Sequence, residues 1–166
     1  MTTQRETLEW PATQEVFRRA FRSSFAYSIA SIGEDGAPHV TPIASVMLTE
    51  PGRGVFFDIF ASQLGRNITN DPRVCVMAVD SSKRFWLKSL ASGRFAAPPA
   101  LRLVGTAGPR RDATLEEQQR WLHRVRKVRS LKGHQLLWGG PARVRDLTFT
   151  EALPVRLGAM TRTLET

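Results

Sequence analysis

The chain has 166 residues, 42% of them hydrophobic and 23% charged, a composition that suits one soluble globular domain and excludes long disordered stretches. Nowhere do eighteen apolar residues run together, and the opening Met1-Thr-Thr-Gln-Arg-Glu lacks the apolar core of a signal peptide, so neither a membrane span nor a secretory route is expected, and the expected compartment is the cytoplasm. The net charge of +9 is open to three readings, nucleic acid, an anionic membrane or an anionic ligand, and it is concentrated: from Arg110 to Arg145 ten Lys or Arg face three acids, while the rest of the chain is near balance.

A single domain over 1–166 is expected, with loose ends at about 1–12 and 158–166. Thr13 to Arg22 places Val16, Phe17, Ala20 and Phe21 on one side of a short amphipathic helix opened by Thr13. Trp10-Pro11 before it is either a docking point or an exposed tail. Phe25 to Ile32 has strand composition, and Glu34-Asp-Gly-Ala-Pro38 has turn chemistry, with Gly36 suited to positive φ. His39 to Leu48 reads as the returning strand, in which Pro42 argues for an edge, a bulge or a kink because proline donates no ladder bond. Val55 to Phe60 is a third strand after the turn Thr49 to Gly54.

The stretch from Phe57 to Val74 organises the reading. A strand empties into a short helical turn carrying Arg66 and Asn67, Asp71-Pro72 stops it, and a fourth strand runs from Val74 to Val79. Free backbone N–H groups at such a place suit an anion, usually phosphate, and Arg66 would supply charge. Cys75, the single cysteine, sits in this apolar strand and is expected to be a buried core thiol. Ser81 to Pro99 then reads as a long irregular segment holding Arg84 and Trp86, either functional or hiding a short element.

Leu101 to Gly108 is a fifth strand. Thr114-Leu-Glu-Glu117 matches a capping box, so a basic helix is expected from there to about Leu131, with Leu115, Trp121, Leu122, Val125 and Val128 on its apolar side and Gly133 as its stop. Gly139-Gly-Pro141 is a loop, and Arg143 to Leu153 a sixth strand. Six closely spaced strands with an N-terminal helix and one inserted basic helix predict a mainly β, α+β fold, a small antiparallel barrel.

These residues also carry a resemblance. Phe25 to Ile43, the Ser62 to Val74 stretch and Arg102-Leu-Val-Gly-Thr-Ala107 resemble the pyridoxamine 5'-phosphate oxidase-like family of FMN-binding split barrels, over roughly Val16 to Thr150. The resemblance implies a six-stranded antiparallel split β-barrel, a homodimer with two interfacial sites, and an FMN-dependent oxidoreductase that passes a hydride through flavin to or from a small organic substrate. It implies that Pro42, Ile43 and Ser45 border the ring or ribityl chain and that Ser62, Arg66 and Asn67 surround the phosphate, with the Trp86 loop contributing from the other subunit. Many family members carry a basic residue two positions after the one equivalent to Ser62; here it is Leu64. Arg66, Arg84 or a partner's basic residue would then replace the charge, or a deazaflavin (coenzyme F420), haem or no cofactor would take FMN's place.

No catalytic side chain is singled out, since a flavin performs the chemistry itself. His39, His123 and His134 lack metal-ligand spacing, so no metal site is expected. No nucleophile elbow, P-loop or dinucleotide fingerprint occurs. The basic helix has two readings: a nucleic-acid site with Trp121 and Trp138 stacking on bases, which would make the chain a cofactor-free binding module, or a solvated outer face.

Overall fold

The computed structural model describes residues 9–59, 62–126 and 142–164. Its elements are α1 (Trp10–Ser24), β1 (Tyr27–Ile32), β2 (Pro38–Ile43), β3 (Met47–Leu48), β4 (Arg53–Phe57), α2 (Ser62–Asn70), β5 (Arg73–Val79), α3 (Lys83–Ser92), β6 (Ala100–Asp112), α4 (Leu115–Arg124), β7 (Arg143–Pro154) and a closing 3₁₀ turn (Gly158–Leu164). Phe60, Lys127 to Lys132, Gly133, His134, Trp138 and the Gly139-Gly-Pro141 loop lie outside the described residues, and with them the expected end of the basic helix.

All strand pairs are antiparallel in one sheet of order β2-β1-β5-β6-β7-β4-β3. The strand expected over His39 to Leu48 is two strands, which raises the count from six to seven. They occupy opposite edges of the sheet, yet only Ala44, Ser45 and Val46 join them. A link that short reaches about 14 Å at full extension, so the sheet must roll until its edges approach. No ladder closes β2 onto β3 among the described residues: the barrel is split. Ser45 explains the break, because its hydroxyl donates to the Phe57 carbonyl at 3.3 Å and accepts from the Phe57 N–H at 3.1 Å, in place of a ladder bond. Pro42 lies on edge strand β2, where a missing donor costs nothing.

Alternation sends Ile29, Val76, Leu103, Phe56 and Leu147 into the main core, where Val16, Phe17 and Ala20 of α1 and Leu64 and Ile68 of α2 meet them. β4 is buried on both faces: Phe56 belongs to the main core, while Val55 and Phe57 join Met47, Val144, Trp121 and Val125 beneath α4. Gly105 lies at a bulge in the β6–β7 pairing, where a Cβ would sit 2.0 Å from the Thr148 carbonyl; the close approach of these backbones requires glycine. Gly36 takes φ 78° in the β1–β2 turn, as its composition predicts.

Several expectations change. Thr13 does not open α1; the helix starts at Trp10 with Pro11 in its first turn, where a missing N–H is harmless, and Thr13 is buried a turn further on. Cys75 faces away from the core and is half-buried; burial pushes its thiol up, opposed by nearby Arg102. The irregular segment contains α3, ended by Gly93 at φ 66°. Its only buried residue is Ser89, and Leu87 and Leu90 are exposed, so it carries no apolar stripe for a sequence reading to detect. Leu115 and Leu122 of α4 are also exposed rather than packed. Residues 158–164 form the 3₁₀ turn, held by a 2.9 Å bond from the Phe95 N–H to the Met160 carbonyl.

Candidate functional site

α2 positions the candidate site. Leu64, Asn67 and Ile68 turn inward, which leaves Ser62 and Arg66 exposed at its open side. Beneath the helix, the chain leaving β4 delivers Asp58, which is 2% exposed. A buried carboxylate requires a partner, and Arg145 of β7 supplies it: Nε donates to Asp58 Oδ2 at 2.7 Å. The same guanidinium donates to the Gly108 and Gly65 carbonyls at 3.1 and 3.2 Å and to Thr69 Oγ1 at 3.3 Å. Arg110 of β6 donates to the Asp58 carbonyl at 2.7 and 3.2 Å and keeps about half of its side chain in solvent. Gly65 makes the approach possible, since a Cβ there would lie 3.3 Å from the Asp58 carboxylate.

Over this base opens a cleft of about 540 Å³ lined by Ser62, Gly65, Arg66, Thr69, Arg110 and Arg145. On the other side of Arg66 a second cleft of about 450 Å³ runs along the β1–β2 turn past His39 and Gln63. Arg66 therefore stands on the ridge between them, bonded to Gln63 Oε1 at 2.5 Å and otherwise exposed.

The other residues singled out from sequence fall into three places. Asn67 is fully buried, donating to Ser31 Oγ at 3.0 Å and accepting from Gln63 Nε2 at 2.8 Å, so its amide ties α2 to β1. Ile43 is in the core, Ser45 latches onto Phe57, and Pro42 is exposed on β2. Arg84 is in a separate cleft of about 630 Å³ between α1 and α3, with Arg19, Arg22, Lys83 and Lys88. Trp86 is half-buried on α3 and does not line that cleft, its Nε1 donating to the Asp80 carbonyl at 2.6 Å and its ring edge-on to Phe95. Leu64 is fully buried in the main core: its position on α2 faces inward, where a lysine would have no water. Sequence reasoning missed Asp58, Arg110 and Arg145. The available signal was Asp58 itself, one acid inside the run Val55-Phe-Phe-Asp-Ile-Phe60, which demands a buried cation from elsewhere.

The pyridoxamine 5'-phosphate oxidase family model matches residues 13–148, which takes in the barrel from within α1 to within β7. The chain belongs to that family. Solved structures agree on the fold. An FMN-binding protein from Syntrophomonas wolfei is 10% identical, with a TM-score of 0.58 and coverage of 89% of this chain and 88% of that one. HupZ from Group A Streptococcus is 16% identical at a TM-score of 0.57, covering 89% and 97%. A heme binding protein from Mycobacterium smegmatis is 19% identical at 0.50, covering 84% and 52%. No protein of curated function matches the chain in sequence. The family includes oxidoreductases and binding proteins alike, so the fold does not select the cofactor.

Among the described residues no group of three potential metal ligands occurs, and no helix is long and apolar enough to cross a membrane. In the described part of the basic helix Arg120 pairs with Glu116 at 2.9 Å, and Arg124 turns inward to the Val46 carbonyl at 2.8 Å.

Proposed function

We propose that the chain binds FMN and acts as an oxidoreductase, moving a hydride between flavin and a small organic substrate in a homodimer. The observation that carries this reading is the 540 Å³ cleft at α2, where Ser62, Arg66 and Arg110 converge in a member of this family. A phosphate dianion fits that donor set. Arg66 has solvent-facing N–H groups, Arg110 is held in place by the Asp58 carbonyl, and the first turn of α2 adds backbone N–H groups. The Asp58 charge is neutralised by Arg145, which leaves Glu34, bonded to the Asn70 amide, as the carboxylate on the cleft wall that the two arginines outweigh. Charge lost at Leu64 is thus replaced from Arg66 and from β6, and Asn67 acts by holding α2 in place.

When bound, the flavin supplies the hydride-accepting centre. The protein's own residues hold the phosphate, and Pro42 and Ile43 set the edge of the ring site. Homodimerisation would cover edge strand β2, whose Val40 is 61% exposed. The test is titration with FMN, a deazaflavin and haemin in parallel. Saturable FMN binding with quenched fluorescence is expected, weakened about 30-fold by Arg66→Ala or Arg110→Ala through loss of one charge-assisted contact. FMN affinity unchanged in both variants would remove the phosphate assignment; haemin binding in place of FMN would remove the cofactor.

A further inference from the structure

Between α1 and α4, over β3, lies a cavity of about 710 Å³ that the cofactor reading does not use. Its walls are Phe17, Phe21, Phe25, Tyr27, Met47 and Leu48. Three of the rings form a connected set, with Phe17 5.0 Å from Tyr27 and Phe21 6.2 Å from Tyr27, and Phe25 adds a fourth ring 5.5 Å from Phe21. Phe25 is 57% exposed and holds the left-handed backbone at φ 59°, a conformation that disfavours a bulky side chain and presents its ring at the mouth of the cavity.

The charge around these rings is one-sided: among the described residues no carboxylate lines the cavity. Arg18 and Arg120 are paired with Glu15 and Glu116 outside it. Arg124 is different. Its guanidinium lies 3.7 Å from the Phe21 ring centre and 5.6 Å from that of Tyr27, half-buried, and its hydrogen bonds go to the neutral Val46 carbonyl and the Tyr27 hydroxyl. Among the described residues no acid pairs with Arg124 or with Arg22 beside it. Tyr27 does not supply the missing charge, because burial pushes its phenol up against the opposing pull of Arg124, so it stays neutral. A guanidinium that meets only neutral partners among the described residues in an apolar cavity is costly, and an anion with an apolar body would relieve that cost.

We propose that this cavity is a second ligand site, for a small aromatic carboxylate whose ring lies against Phe21, Phe25 and Leu48 and whose carboxylate pairs with Arg124. Arg124 has N–H groups left to donate after its two internal bonds, and the cavity has the volume of an ordinary small-molecule pocket. Arg22 at the rim favours entry of the anion.

The test uses 2-naphthoate as probe on the full chain by calorimetry, with neutral 2-naphthylmethanol as its control and with FMN either absent or saturating. Naphthoate is expected to bind at one site per chain in both conditions, about tenfold more tightly than the alcohol. Arg124→Gln should abolish that preference and Arg124→Lys should restore part of it. If Arg124→Gln fails to fold, Arg22→Glu at the exposed rim should weaken naphthoate and spare the alcohol. Equal affinity for acid and alcohol would overturn the assignment. So would displacement by FMN, or loss of naphthoate binding in Arg66→Ala in place of the Arg124 variants. Because these arms do not require FMN to bind, their failure is separate from failure of the cofactor reading.

Discussion

α2 and α4 attach to the same two strands by opposite means. At the end of β4, Phe57 points to one side and Asp58 to the other; on β7, Val144 and Arg145 do the same. The side of Phe57 and Val144 receives α4 through Trp121, whose ring centre lies 5.8 Å from that of Phe57. The side of Asp58 and Arg145 receives α2 through a buried ion pair that also bonds the helix backbone at Gly65. Apolar docking tolerates small shifts, since dispersion and area burial have little direction. A buried ion pair with all its bonds made fixes one geometry. At these two strands the helix that borders the proposed phosphate cleft adds buried directional bonds to the apolar contacts of Leu64 and Ile68, as a site that must present Ser62 and Arg66 in register requires.

Breaking the polar side should do the most damage. Arg145→Ala leaves Asp58 buried and unpaired and should cost about 3–5 kcal/mol in urea unfolding. The exchange Asp58→Leu with Arg145→Met should cost much less while loosening α2, which FMN affinity would report; equal losses for the two variants would remove the distinction between pairing and packing. On the apolar side, Trp121→Ala should cost about 3 kcal/mol through cavity formation and leave FMN affinity within about twofold, so a larger change would mean that α4 belongs to the cofactor site. Thr114→Ala removes the capping box, in which Thr114 Oγ1 accepts from the Glu117 N–H at 3.2 Å and Glu117 accepts from the Thr114 N–H at 2.8 Å. It should cost about 1 kcal/mol, read as a lowered melting temperature.

The smallest effect concerns Arg111, which bridges Glu117 of α4 and Asp146 of β7 at 2.7 and 2.6 Å. Its guanidinium holds both carboxyls below the usual range. A carboxyl lowered in the folded state stabilises fully above its unfolded value, and that contribution is lost as pH falls through the folded one. Acidification below about pH 4 should therefore remove about 0.5 kcal/mol from the wild type, given the exposure of the network. Arg111→Met should flatten this component in melts recorded across that range; an unchanged acid slope would mean that other carboxyls dominate it.

Strand positions were legible because alternation survives in the sequence: β1, β5 and β7 lie where the apolar periods place them. The turn at Gly36 and the Thr114 capping box are local chemistry, complete within a few residues, and were read correctly. The segment that holds α3 was open to a hidden short element but not assignable as a helix, because a helix with exposed Leu87 and Leu90 has no one-sided stripe. The split of His39 to Leu48 was hidden because Ser45 bonds Phe57, twelve residues away, and no local signal marks that choice. At the candidate site, Arg66 was expected from the strand-to-helix outline and Ser62 from the family resemblance, whereas Arg110 and Arg145 looked like ordinary members of a basic region.

What the sequence determined by itself was periodic or local: the strands apart from the β2–β3 break, the Gly36 turn, the Thr114 cap, the family and the polar opening of α2. Tertiary structure alone decided which charges are structural and which are free. Asp58 and Arg145 are 87 residues apart in the chain, and Arg124 meets Tyr27 across 97. A charge's role depends on the dielectric around it and on the partner it meets, and both are created only when the sheet rolls up and brings distant residues together.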